Sequence, residues 1–159
     1  MTSRTALPQD SPGSSTRSAI APAAIITVIA ATVLAAFGSF ADGTDGGEHS
    51  VGEFLVVVAF ILVAAGVVFG LVVPRFLDRP SAAGVGLGLS IAALVLVMAF
   101  WSGLPPVLGV GGILLGKAAR DRGRGGLATA AITVGALALV ADVAIYVADW
   151  MSTNNIAGM

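Results

Sequence analysis

Asp142 is the one ionisable residue set well inside an apolar block of this sequence. It lies eight residues before Trp150, a distance of about 12 Å along a helix. An acid at mid-membrane costs roughly 2.5–3.5 kcal/mol on insertion scales, and less toward an interface. A carboxyl at that depth must therefore be hydrated, hydrogen-bonded or protonated. The chemistry open to it is proton or cation exchange. Its ordinary account is an acid wetted from the nearer surface, bonded to a neighbouring helix and tolerated there. Gly135 and Ala138 precede it at helical spacing, so it should face the bundle rather than lipid. No Lys or Arg falls at its depth.

His49 and Glu53 form a second candidate, a polar patch at the mouth of an apolar block, beside Asp42, Asp45 and Glu48. A divalent-cation or pH-sensing role on the outer face is conceivable chemically, but a solvated acidic loop explains the same residues. No spacing there matches a metal-binding motif. His49 is the only histidine and there is no cysteine, so multi-histidine metal sites, disulfides and thiolate chemistry are excluded. Lys117, Arg120, Arg122 and Arg124 make a basic turn. Attraction to anionic lipid headgroups, worth about 1 kcal/mol per residue near the surface, accounts for it. The patch is too short to imply nucleic-acid binding. The glycines of GVGGILLG (109–116) do not follow a strand, which removes a phosphate-loop reading. No nucleophile–base pair or carboxylate dyad stands at catalytic spacing. The expectation is a protein with no catalytic, cofactor or metal residues, and not an enzyme.

The elements that must position these groups follow from composition. Of 159 residues, 57% are hydrophobic and only 11% charged, with mean hydropathy +0.97; soluble domains carry about a quarter charged residues. The apolar residues are gathered into long blocks that a water-soluble core of this size could not absorb. Lipid must be the solvent for most of the chain. Residues 1–17 read as a disordered cytoplasmic tail rich in Ser, Thr and Pro. An all-α transmembrane bundle follows over 18–150, with helices expected at 18–40, 51–73, 83–101, 104–120 and 127–150, and a polar tail at 151–159. The first block, with Pro22 in its opening turn, is longer than the usual signal-peptide core of about 7–15 residues. It is expected to be retained as a helix.

The segment 104–120 is the ambiguous one. Its uncharged part is short and carries four glycines, so four crossings plus a re-entrant segment is the alternative to five. Charge favours five. With the N-terminus inside and the C-terminus outside, all eight basic residues fall on the cytoplasmic side. If 104–120 does not cross, Lys117 to Arg124 move outside and oppose Arg75 and Arg79. Phe40, Trp101, Tyr146 and Trp150 lie toward the outer block ends, as interfacial anchors should. Small residues can bring helices together where lipid removes the hydrophobic drive. The candidates are Gly66 with Gly70, Gly84 with Gly88, Gly112 with Gly116, and the face Ala128, Ala131, Gly135, Ala138 and Asp142.

The stretch GKAARDRGRGGLATAAITVG (116–135) resembles an uncharacterised family of small membrane domains from high-GC Gram-positive bacteria. The resemblance rests on Gly116 with Ala119, on Gly123-Arg124-Gly125, and on Gly126-Leu127-Ala128 with Ala130, Ala131 and Gly135; it extends over about 83–148. It implies a membrane module in a bacterial plasma membrane with the basic turn inside, and brings no activity. Two functions remain. One is a non-enzymatic accessory or assembly subunit, contacting a membrane-protein partner or its own copies in the bilayer. The other is an oligomeric small transporter or channel using Asp142. The charge bias argues against a dual-topology multidrug exporter, whose loops must be nearly balanced.

Overall fold

In the bilayer interior no water is present to bond exposed peptide groups, so an apolar chain satisfies them along its own helices. The computed structural model describes residues 14–40 and 51–153, and all of its long elements are helical. Five rods result. They are α1 (Ser14–Phe40), α2 (Val51–Ala65), α3 (Ala82–Leu96), α4 (Leu104–Asp121) and α5 (Gly125–Thr153). The second rod continues through a π-helical stretch (Gly66–Val72) into a last α turn (Val73–Phe76), and α3 is extended by a 3-10 stretch (Val97–Ser102).

Four of the rods are long and apolar enough to cross a membrane: Thr16–Ala36, Phe54–Phe76, Ala82–Ser102 and Gly125–Ser152. Their outward faces carry large apolar side chains such as Met98, 77% exposed, and Val95. Lipid is the medium in which such faces are stable. The fifth rod, α4, is different. Lys117, Arg120 and Asp121 crowd its end, and Pro105, Val107, Gly109, Gly111, Gly112, Leu114, Leu115, Gly116, Ala118 and Ala119 are buried along it. It is encased by α3 and α5, with α1 and α2 packed on its other side. A helix wrapped by protein has little need of a long apolar surface, which explains the composition that made 104–120 ambiguous.

The rods begin and end near their expected boundaries, with one instructive difference. Ser14 rather than Ser18 opens α1, so Pro22 lies inside the helix and not in its first turn. Membrane helices tolerate an internal proline where neighbouring groups re-satisfy the backbone. The extra turn has tertiary support: Thr16 is buried and its hydroxyl donates to Asp121 at 3.3 Å, and Arg17 pairs with Asp78 at 2.7 Å.

Between α3 and α4 the chain reverses within a single residue. Gly103 has φ +66°, a left-handed conformation that costs an L-residue roughly 1–2 kcal/mol. Space is also lacking, because a Cβ there would stand 2.5 Å from Ile61 Cγ1. The Ser102 hydroxyl donates to the Ala99 carbonyl at 2.7 Å and accepts from the Leu104 N–H at 3.3 Å, closing the turn.

The centre of the bundle is a three-helix contact made by small residues. A Cβ on Gly86 of α3 would lie 2.9 Å from the Gly112 carbonyl oxygen; one on Gly135 of α5 would lie 2.9 Å from that of Gly109. Buried Ser90 donates to the Ala131 carbonyl at 2.7 Å, joining α3 to α5 beside Gly112. On α5, Ala128, Ala131, Gly135, Ala138 and Asp142 are all buried on the one inward face. By contrast Gly66, Gly70, Gly84 and Gly88 face outward, and a Cβ on any of them would meet nothing within 4 Å. The inward edge of α3 is therefore Gly86, Ser90, Ala93 and Val97 instead.

Candidate functional site

Asp142 sits on α5 with 1% of its surface exposed, and its Oδ1 has no hydrogen-bond partner among the described residues. The surroundings are apolar. One turn toward the start of α5, Ala138 packs with Ala93 and Val97 of α3 and with Leu108 of α4. One turn the other way, Tyr146 is nearly buried and its hydroxyl donates to the Phe100 carbonyl at 3.0 Å. The Phe100 and Tyr146 rings meet edge to face with centroids 4.8 Å apart. Tyr146 thus spends its donor on α3 rather than on the carboxyl beside it, and it is not an outward headgroup anchor. Trp101 and Trp150 do face outward, at 61% and 48% exposure.

The backbone opposite this level of α5 is irregular. Ala99 has non-helical angles (φ −108°, ψ 43°) inside the 3-10 stretch. Asp142 thus lies on α5 between Ala138, which packs with Val97 and Leu108, and Tyr146, which bonds the Phe100 carbonyl in the irregular stretch that extends α3. A helix start carries partial positive charge, and Pro105 and Pro106 at the opening of α4 contribute no N–H donors. The arrangement is a polar defect inside the apolar bundle, and among the described residues no base is placed against the carboxyl.

The other predicted groups fall elsewhere. His49 lies outside the described residues, and Glu53 falls in the first turn of α2. Among the described residues, no three His, Cys, Asp or Glu side chains come together as a metal site would require. The basic turn is far more engaged with protein than headgroup attraction alone implies. Arg122 donates to the Leu77 carbonyl and pairs with Asp78 at 2.7 Å, Arg124 donates to the Pro80 carbonyl, and Lys117 pairs with Asp121 at 3.3 Å. Arg120 is exposed. Asp78, which charge counting overlooked, receives both Arg17 and Arg122 and ties α1 to both turns. Its only sequence signal was an acid placed between two arginines in PRFLDRPS (74–81).

These bonds put the start of α1, the α2–α3 turn and the α4–α5 turn at the same end of the bundle, opposite Gly103, Phe100 and Tyr146. Four apolar rods of spanning length around an encased fifth define a multi-pass α-helical membrane protein. No family model matches the chain, and neither does any curated protein or solved structure.

Proposed function

We propose that the chain crosses the membrane five times, with its N-terminus on the cytoplasmic side, and serves as a non-enzymatic accessory or assembly subunit. The orientation is supported by the basic end: Arg17, Arg75, Arg79, Lys117, Arg120, Arg122 and Arg124 all belong to helix ends or turns gathered there. Cytoplasmic loops carry such an excess of Lys and Arg. A bacterial plasma membrane, and kinship with the small membrane-domain family resembled by 116–135, belong to the same proposal.

One observation carries the assembly role. Gly84 and Gly88 leave a strip of α3 bare of side chains on its outward face, and among the described residues a Cβ at either would meet nothing within 4 Å. Bare strips of this kind let a second helix approach closely in lipid. Gentle extraction from native membranes should recover a larger membrane protein in fixed ratio, and Gly84→Leu with Gly88→Leu should release it. Recovery of monomer alone, or a complex indifferent to both substitutions, refutes the role.

The unpartnered Oδ1 of Asp142 favours a second reading, an oligomeric small transporter or channel. Reconstituted liposomes would then carry a proton or cation flux that Asp142→Asn abolishes. Absence of flux disposes of that reading and leaves the first untouched.

A further inference from the structure

A groove of about 610 Å³ runs between α1 and the π-helical stretch of α2. Ile20, Ala24 and Val28 form one wall and Phe69 the other, Gly66 and Gly70 leave the floor open, and Arg17 stands at one end. The wide π turn, in which the Val73 N–H donates to the Val68 carbonyl, re-aims the residues of this wall. With the two glycines it keeps side chains out of the space.

Length and charge identify the occupant. From Arg17 to Ile29 the groove follows α1 over twelve residue steps, about 18 Å, a little over half of the roughly 30 Å hydrocarbon core. It therefore starts at the charged end of the bundle and stops near mid-membrane, the reach of one leaflet. An acyl chain matches that reach, and the charge at the mouth matches its headgroup. Arg17 pairs with Asp78, but Arg122 holds the same carboxylate, and Arg75 and Arg79 lie on that turn. Positive charge is thus in surplus at the mouth.

We propose that this groove binds one acyl chain of an anionic phospholipid, whose phosphate is held at Arg17. The site is independent of the orientation and assembly role argued above, because it requires only a charged mouth and a leaflet-long apolar trough. Native mass spectrometry of the full chain in mild detergent, offered phosphatidylglycerol or phosphatidylcholine, tests it. One phosphatidylglycerol should be retained under activation that strips phosphatidylcholine. Arg17→Gln should reduce that preference about fivefold, as expected for one arginine near a phosphate. Gly70→Leu, whose Cβ alone meets nothing within 4 Å and whose longer branch would fill the trough, should abolish retention, with the unfolding midpoint as the check that the variant is folded. Gly66→Leu is the substitute should Gly70→Leu lower the midpoint. Inorganic phosphate at matched concentration should not compete, which separates a lipid site from a free-anion site.

Equal retention of both lipids overturns the proposal, as does retention that survives filling of the groove in a folded variant. A dimer that Gly70→Leu dissociates would assign the groove to a second copy and overturn it equally.

Discussion

Gly112→Ala places one methyl group where α3, α4 and α5 already touch, and its consequence can be worked from the geometry. The added Cβ would stand 2.7 Å from the Gly86 carbonyl oxygen and 3.0 Å from the Ser90 nitrogen, and would collide with Ser90 Oγ. Two of these atoms are backbone of α3, and the third is held by its bond to the Ala131 carbonyl. Relief therefore requires α3 and α4 to move apart. Overpacking of a tight core costs about 1–3 kcal/mol, and loss of an interhelical hydrogen bond in a membrane adds about 0.6 kcal/mol. Alanine's better helix propensity returns about 1 kcal/mol. With backbone atoms blocking relaxation, the upper part of the overpacking range applies, and the net loss should be about 2 kcal/mol. Gly84→Ala and Gly88→Ala meet nothing within 4 Å, so for them only the propensity remains, and stability should hold or rise slightly. The gap of about 2–3 kcal/mol is roughly one and a half to two decades in the unfolding equilibrium. Reversible unfolding in mixed micelles with increasing dodecyl sulfate, followed by fluorescence of Trp101 and Trp150, would measure it. Should Gly112→Ala lie within about 0.5 kcal/mol of Gly84→Ala, the scatter of ordinary surface substitutions, the close-packed centre described above is wrong.

Gly103→Ala should destabilise by about 2–3 kcal/mol, because it adds left-handed strain to contact with Ile61. In a double-mutant cycle with Ile61→Ala, the pair should couple by at least about 1 kcal/mol; strict additivity would show that the reversal does not press on α2. Asp142→Ala removes a buried acceptor whose desolvation costs about 1–3 kcal/mol, offset in part by the void left behind. Stability in the same micelle assay should rise by about 1 kcal/mol on that account. A clear loss would mean that the carboxyl has a bonding partner in the membrane.

Sequence was sufficient for the number of rods and nearly for their ends. Hydrophobic length, glycine and proline breaks and the need to satisfy peptide groups in lipid are local properties. The inward face of α5 was equally plain, since Ala128, Ala131, Gly135, Ala138 and Asp142 form its small-residue row. On α3 the same logic was blind. Glycine stands at 84, 86 and 88, so small residues appear on opposite faces, and in lipid no polarity distinguishes inside from outside. Only packing against Gly112 and Ala131 selected Gly86 and Ser90 and left Gly84 and Gly88 bare. The central place of α4 was likewise a tertiary outcome, because neighbours rather than lipid cover it and its own composition then need not announce a membrane helix. The arginines of the basic turn were legible as charge. Their partners, Asp78 and the carbonyls of Leu77 and Pro80, lie more than forty residues away along the chain, and it took the folded bundle to bring them together.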